Sequence, residues 1–220
     1  MAQAVGHGKQ VAIVDLMAGE MGTRGTPALR AEERAAATKL LGVQQRFQLN
    51  LPDSAIGRDP DHQQTIIQVI RQLRPRIVLA PNSDPGRHPD HAATGKLVRD
   101  ACFLAGVAKV GTGIPYRPAW LYHYMLHQPF DPAFIVDVSG VWAQKWASIH
   151  AYESQFGAAQ QQGPATAINQ PHFLRFIEAR AIYYGGLIGA TYGEPFWAAG
   201  PVSQPSLPGL DTEPQYKPYL

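Results

Sequence analysis

An α/β fold is the class that the sequence predicts, and three observations predict it. Short apolar runs, typical of buried parallel strands, alternate with segments of helical periodicity through the first half of the chain. Hydrophobic residues make up 45% of the 220 residues, which excludes an intrinsically disordered chain. No apolar run in the sequence approaches the roughly 20 residues of a membrane-spanning helix. We therefore expect a Rossmann-like, mostly parallel sheet with helices on both faces.

The elements of the first half alternate in type. The expected order is strand 10–16, helix 26–41, strand 46–51, helix 62–73, strand 76–81 and helix 89–104. Thr26 can cap the first helix and Pro27 suits its first turn. Pro75 ends the second helix because proline cannot continue one. The run RIVLAP at 76–81 is the strongest strand signal in the chain.

The second half is less regular. The pattern there predicts strands at 119–126 and 133–139, helices at 140–156 and 171–190, and a loop at 157–164. A proline-rich segment without periodicity follows. We expect one domain over residues 1–200 and an extended tail over 201–220.

Charge and cysteine content limit the partners and the compartment. The formal net charge is +2 and the basic residues are scattered, so we expect no nucleic acid partner. The single cysteine, Cys102, excludes an intramolecular disulfide and suits a reducing cytoplasm. The N-terminal residues have no signal-peptide pattern and nothing indicates a membrane partner. A homo-oligomer is an alternative that the sequence leaves open.

The most informative stretch is Arg87-His88-Pro89-Asp90-His91, between a predicted buried strand and a predicted helix. The carboxyl ends of parallel strands are where open α/β sheets bind ligands. His88 and His91 are three residues apart, so on a helix both imidazoles can approach one metal ion or one substrate. Asp90 can orient an imidazole. The alternative is an ordinary helix start with solvated histidines.

A glycine-rich segment, GEMGTRGT at residues 19–26, follows the first strand. Its glycines allow close backbone approach to a ligand, and Glu20, Arg24 and Arg30 supply charge. It lacks the Gly-Lys-Ser/Thr of a phosphate-binding Walker loop. A purely structural turn is the alternative.

Three other positions give weaker signals. His123 and His127 have helical metal spacing, but they fall on a predicted strand, where positions four apart lie too far apart for one zinc ion. We therefore interpret them as ordinary strand residues. Ser154, in AYESQF, has no G-x-S-x-G context and no partner that the sequence identifies.

Together these stretches resemble the LmbE-like (PIG-L) family of zinc-dependent N-deacetylases. The runs that carry the resemblance, in the family's order, are VDLMAGEMGTRGTPALRAEE, LNLPD, RPRIVLAPNSDPGRHPDHAATGKLV, FIVDVS, HAYESQF and YGEPF. They extend from about residue 10 to residue 197. The match is closest to the branch that acts on N-acetylglucosaminyl malate in bacillithiol biosynthesis.

The resemblance implies roles for individual residues. It makes His91 a Zn²⁺ ligand, and it makes His88 the catalytic group that stabilises or protonates the tetrahedral intermediate, with Asp90 orienting it. Arg30 falls at a substrate-binding arginine of the family, and Tyr192 at an aromatic residue that closes the pocket. The family takes its other zinc ligands and its general base from an N-terminal His-Pro-Asp-Asp motif.

This sequence contains no His-Pro-Asp-Asp segment. Aligned with the family, its first residues fall on the end of the first helix and on the second strand, so the first strand of the sheet is expected to be absent. The explanations are a start codon assigned too far downstream, a fragment, or a true loss of the site; the intact His-Pro-Asp-His segment favours the first two.

The implied function is zinc-dependent removal of an N-acetyl group from a glucosamine conjugate, a small molecule, in the cytoplasm. The alternative of a different class is a catalytically inactive, metal-free sugar-binding protein of the same fold. A third hypothesis keeps the zinc hydrolase and changes the substrate, for example to a thiol-conjugate amide.

Overall fold

The expected alternation of strands and helices is present in the computed structural model, which describes residues 1–83, 88–157, 164–204 and 206. Its elements are α1 (Ala2–Gly6), β1 (Ala12–Asp15), α2 (Pro27–Leu41), β2 (Gln45–Gln48), α3 (Pro60–Leu73), β3 (Ile77–Pro81), α4 (Pro89–Leu104), β4 (Trp120–Tyr124), β5 (Phe134–Asp137), α5 (Trp142–His150), α6 (Glu153–Phe156), α7 (Pro171–Gly186) and β6 (Gly193–Trp197). Short 3₁₀ turns lie at Ser139–Val141 and Ala167–Asn169. The α/β class is confirmed.

Local sequence explains where helix α2 begins and ends. The Thr26 hydroxyl accepts the Leu29 N–H at 3.2 Å, and Pro27 occupies the first turn, where a missing N–H costs nothing. Gly42 ends the helix in the left-handed region, at φ 69°, which favours glycine.

The chain divides into two compact units. The first comprises Met1–Asp53 and Asp137–Glu194. In it β1 pairs in parallel with β2, from Ala12 opposite Gln45 to Asp15 opposite Gln48, and α2 packs against α5. The Asp15 carboxylate accepts two hydrogen bonds from Arg46, at 2.6 and 2.8 Å, which is the bidentate geometry of a strong ion pair.

The second unit comprises Ser54–Val136 and the described residues from Pro195 onward. Its sheet has the strand order β3-β4-β6-β5, with β4 parallel to β3 and β6 antiparallel to β4. Helices α3 and α4 pack together, and Ile67 of α3 is fully buried. Burial raises the pKa of the Cys102 thiol on α4 to about 12, consistent with a packing role.

Two elements differ from the sequence prediction. Strand β6 was not predicted, because Gly193 and Pro195 are both disfavoured in strands. The helix expected over 140–156 is divided at Tyr152 into α5 and α6. The division has a tertiary cause, since the Ser154 N–H donates to the Glu33 carboxylate instead of a helical carbonyl.

Some predictions fall on residues that the structure does not describe. The loop expected at 157–164 and the tail expected at 201–220 lie largely outside the described residues. The single domain over residues 1–200 stays a prediction. Among the described residues, no helix has the length and apolar character needed to cross a membrane.

Candidate functional site

The His-Pro-Asp-His segment forms the first turn of α4, as the sequence predicted. Strand β3 ends at Pro81 and α4 begins at Pro89, so the segment follows the carboxyl end of a parallel strand. Gly95 brings the helix close to this strand end, because a Cβ on residue 95 would lie 2.5 Å from the Pro81 carbonyl oxygen and 2.7 Å from Ser83 Oγ. A side chain at position 95 would therefore push the segment away from the strand.

The Asp90 carboxylate is buried and bound to backbone amides. It accepts the Ser54 N–H at 2.7 Å and, more weakly, the Ile56 N–H at 3.4 Å, and the residue is 3% exposed. These contacts fix the loop at 54–56 against the start of α4. The structure thus gives Asp90 a role in fixing this loop. The role that the resemblance implies for it, orienting an imidazole, stays a prediction.

His88 caps helix α4, and the cap sets its tautomer. The Asp90 N–H donates to His88 Nδ1 at 3.3 Å, so a neutral ring carries its proton on Nε2. A neutral His88 therefore offers an N–H donor. This geometry is compatible with a group that stabilises developing negative charge.

His91 lies beside His88, with the ring centroids 5.7 Å apart. Its side chain reaches solvent, but the protein atoms around it and the neighbouring His88 imidazole lower the pKa of the His91 ring. A lowered pKa favours the neutral imidazole, which is the form that binds metal ions.

This segment supplies one side chain suited to Zn²⁺, the imidazole of His91. Catalytic zinc sites take three protein ligands, and His nitrogen is among the preferred donors. His91 suits this role because its neutral ring has a lone pair, whereas a neutral His88 has its proton on Nε2 and its Nδ1 already accepts a hydrogen bond.

The structure leads to a prediction for Asp90. In Asp90→Asn, one side-chain oxygen can still accept an N–H, but the amide group presents N–H donors to the backbone donors of the 54–56 loop. We expect the free energy of unfolding to fall by about 1–3 kcal/mol, the cost of a buried unsatisfied donor. Chemical denaturation measures the loss, with the partly exposed Asp100→Asn on the same helix as the control. Equal stability of both variants and the wild type would contradict this account.

The glycine loop, residues 19–25, wraps the Arg30 side chain. A Cβ on Gly22 would lie 3.2 Å from Arg30 Nη1, and one on Gly19 would lie 3.4 Å from the same guanidinium. Gly19 and Gly25 have φ values of 81° and 75°, which glycine adopts without strain. Glycine is therefore needed here both for the turn and for close contact with Arg30.

Further contacts hold the glycine loop to residues distant in sequence. The Glu20 carboxylate accepts the Asp53 N–H at 2.9 Å, and the Asp53 carboxylate accepts the Met21 N–H at 3.1 Å. The hydrogen bond from the Asp53 amide is the main cause of a lowered pKa for the Glu20 carboxyl. Arg24 is buried, and its Nε donates to the Ser154 carbonyl at 3.0 Å.

Two guanidinium nitrogens in this region, Arg24 Nη1 and Arg30 Nε, are buried without a hydrogen-bond partner in the described part of the chain. Such groups are rare in folded proteins and costly. Glu20 and Arg24 thus lie on the glycine loop, the Arg30 side chain of α2 lies against it, and Glu20 fixes the loop. The substrate-binding roles of the three residues stay predictions.

Tyr192 lies in a different setting. Its ring stacks on Trp142, with centroids 4.2 Å apart and an interplanar angle of 10°. Its backbone N–H donates to Ser139 Oγ. Glu194, two residues further along the chain, has a carboxyl pKa below its ordinary value. Burial raises this pKa, but nearby positive charges, first among them Lys145 with Nζ at 2.8 Å, lower it by more. The role implied for Tyr192, closing the substrate pocket, stays a prediction.

The weaker histidine signal has a structural explanation. His123 is a buried residue of β4, with Nδ1 2.8 Å from the Pro81 carbonyl oxygen and its ring against Trp197. Its placement on a strand confirms the interpretation from sequence for His123, whereas His127 lies beyond the end of β4.

Sequence reasoning missed two contributions to the glycine-loop region. It gave Glu33 no role and found no partner for Ser154, yet the two form a pair of hydrogen bonds. The only available signal was an acidic residue three positions after Arg30 on the same predicted helix, which places both side chains on one face.

Comparisons with known proteins agree with the resemblance. A family model described as "PIG-L: GlcNAc-PI de-N-acetylase" matches residues 1–102. Diacetylchitobiose deacetylase of Thermococcus kodakarensis is 31% identical over 175 residues, which are 75% of this chain and 60% of that protein. The 4-oxalmesaconate hydratase of Pseudomonas putida is 28% identical over 143 residues, 62% of this chain and 55% of that protein. This chain therefore spans less than two thirds of either curated relative.

A solved structure covers more of the chain. The conserved protein TT1542 from Thermus thermophilus is 36% identical, with a TM-score of 0.83 over 92% of this chain and 87% of that one. Because sequence and fold agree over nearly the whole of both chains, and the family model covers the segments that hold the glycine loop and the His-Pro-Asp-His turn, this chain belongs to the PIG-L (LmbE-like) family.

Proposed function

We propose that this protein is a zinc-dependent N-deacetylase acting on an N-acetylglucosamine conjugate. In the reaction water adds to the acetyl carbonyl carbon, the C–N bond breaks, and the nitrogen takes a proton, which gives acetate and a free amine. Two findings support this chemistry. The family to which the chain belongs is described as a de-N-acetylase family, and a relative at 31% identity is named a deacetylase.

One observation carries the proposal most directly. In the His-Pro-Asp-His turn, the hydrogen bond from the Asp90 N–H places the proton of a neutral His88 on Nε2. A fixed N–H donor is what an acyl-transfer reaction needs where the carbonyl oxygen gains negative charge. The neighbouring His91 ring has a lowered pKa, which suits a metal ligand.

Each residue then has one role. His91 would hold a Zn²⁺ ion, which when bound would supply Lewis acidity toward the acetyl carbonyl and toward water. His88 donates a hydrogen bond from Nε2 to the developing oxyanion. The proton that the leaving nitrogen takes comes from the water that adds. Asp90 fixes the first turn of α4, and so the place of both imidazoles, through its bonds to the Ser54 and Ile56 amides.

The two arginines of the glycine-loop region favour an anionic substituent on the sugar. Arg24 and Arg30 each have a buried guanidinium nitrogen without a partner in the described residues, and Arg30 is only partly buried. A guanidinium pairs preferentially with carboxylate. N-acetylglucosaminyl malate, as in bacillithiol biosynthesis, has such a group, and we propose it as the substrate of a cytoplasmic enzyme.

A hydratase is a second candidate that one observation favours. A relative at 28% identity is named 4-oxalmesaconate hydratase, which adds water to an anionic substrate. The same two arginines would suit such a substrate too. The two candidates differ in the bond that changes, a C–N bond or a C=C bond.

The test uses protein produced from the whole gene, assayed with zinc content measured in parallel. Acetate and amine are quantified with N-acetylglucosaminyl malate, N-acetylglucosamine and diacetylchitobiose, and loss of ultraviolet absorbance is followed with 4-oxalmesaconate. We expect zinc in the protein and fastest acetate release from the malate conjugate. Faster acetate release from the neutral sugars than from the malate conjugate would overturn the proposed substrate. Hydration of 4-oxalmesaconate without any deacetylation would favour the hydratase. Zinc-free protein without turnover of any substrate would favour the inactive alternative.

A further inference from the structure

We propose that Glu33, Ser154 and Gln155 are positioning residues for substrate binding. These three side chains, called here the Glu33 network, fix the backbone of the glycine loop at Arg24 and Gly25 and thereby the place of the Arg30 guanidinium. The inference rests on the proposed function, because it assumes that Arg30 binds the substrate.

The Glu33 network begins with a buried carboxylate. Glu33 is 6% exposed, and its two oxygens accept the Ser154 N–H at 2.6 Å and the Ser154 hydroxyl at 2.8 Å. Both carboxylate oxygens thus bind one residue. Burying a carboxylate costs free energy unless it is hydrogen-bonded, so the two bonds to Ser154 hold the Glu33 side chain in this position.

The network continues from Ser154 to the glycine loop. Gln155 Nε2 donates to Ser154 Oγ at 2.9 Å and to the Arg24 carbonyl at 2.9 Å. The Ser154 carbonyl in turn accepts the Arg24 Nε–H at 3.0 Å. Arg24 is therefore held through its backbone and its side chain, in both cases by residues of α6.

Gly25 transmits this constraint to Arg30. A Cβ on residue 25 would lie 2.8 Å from Ser154 Oγ and 3.4 Å from Arg30 Cδ. Both side chains thus border the space that is left free because residue 25 has no side chain. A shift of Ser154 would change the space available to the Arg30 side chain.

The direction of the hydrogen bonds makes the network depend on the hydroxyl group of Ser154. The Ser154 hydroxyl donates to Glu33 and accepts from Gln155, so the chain of donors runs from amide to hydroxyl to carboxylate. Ser154→Ala removes both bonds and leaves the backbone bonds to Glu33 and Arg24 in place. This variant therefore loosens the glycine loop without emptying the core.

The test compares Ser154→Ala with Ser148→Ala in the proposed deacetylase assay. Ser148 is a buried serine of α5 whose hydroxyl donates to the Lys145 carbonyl at 2.7 Å, one turn earlier, so its loss has only a structural effect. We expect Ser154→Ala to raise KM about tenfold with kcat within about twofold of wild type. Ser148→Ala should leave KM unchanged.

A second pair of variants tests the carboxylate. Glu33→Gln cannot accept both donors of Ser154, whereas Glu32→Gln changes an exposed neighbour on the same helix. We expect the first to raise KM as Ser154→Ala does, and the second to match wild type. If Glu33→Gln does not fold, the Ser154 pair still decides the proposal.

Hydrogen–deuterium exchange on the ligand-free protein separates this inference from the proposed function. Peptides covering residues 19–25 should exchange faster in Ser154→Ala than in wild type and in Ser148→Ala. If neither the wild type nor any variant releases acetate, the proposed function fails. The exchange rate of residues 19–25 then decides by itself whether the network holds the loop. Unchanged KM and unchanged exchange in Ser154→Ala would overturn the inference. So would a fall in kcat and stability with KM unchanged.

Discussion

Replacing His91 by alanine is expected to abolish zinc binding and deacetylation together, whereas replacing His88 lowers kcat and leaves zinc in place. His91 is proposed as a ligand, and a catalytic zinc site does not survive the loss of one of three protein ligands without a large loss of affinity. His88 donates a hydrogen bond to the oxyanion as charge develops, which is worth about 10²–10³ in kcat.

His88 also caps α4, so its variants need a control for stability. His88→Asn keeps a side-chain acceptor for the Asp90 N–H and removes the imidazole, whereas His88→Ala removes both. Both should lose the same kcat, and only the alanine variant should also lose stability. Metal analysis beside steady-state kinetics decides the assignment. Zinc lost from His88→Asn and retained in His91→Ala would reverse the two roles, and full activity in both would refute the site.

Arg30→Met is expected to lower kcat/KM for an anionic substrate by about 10²–10³, with the loss mainly in KM. A bidentate guanidinium–carboxylate pair has two charge-assisted hydrogen bonds, and methionine keeps the packing against Gly19 and Gly22 but donates none. Arg30→Lys should recover part of the loss, because lysine keeps the charge without the planar fork.

The neutral sugar makes this prediction specific. With N-acetylglucosamine, Arg30→Met should change kcat/KM by less than about tenfold, because no carboxylate is present to lose its partner. Exposed Arg175→Met on α7 is the matched control and should match wild type with both substrates. An equal loss with anionic and neutral substrates would mean that Arg30 supports the fold of the glycine loop instead of binding an anion.

Much of the fold was predictable because its causes are local. The bounds of α4 were predicted as observed, since Pro89 starts the helix and the apolar pattern runs to Leu104. The position of His88, Asp90 and His91 in its first turn followed from the same pattern. The glycine loop was predictable as a ligand-binding or structural turn, because glycine has a conformational role that depends on its neighbours in sequence.

The described strands are divided between two sheets, whereas the sequence predicted one mostly parallel sheet that lacks its first strand. In the described residues β1 pairs with β2, and β3 belongs to the four-stranded sheet. Strand pairing depends on partners distant in the sequence, so periodicity alone determines that a strand forms and not which strand lies beside it.

The sequence by itself determined the α/β class, the starts of helices α2, α4 and α7, and the place of the His-Pro-Asp-His segment after a strand. These rest on periodicity, capping and residue type, which act over a few neighbouring residues. Only the tertiary structure decided that Asp90 binds the Ser54 and Ile56 amides and that Glu33 binds Ser154, 121 positions away. The reason is physical: a buried carboxylate must find donors, and which donors it finds depends on how distant segments pack.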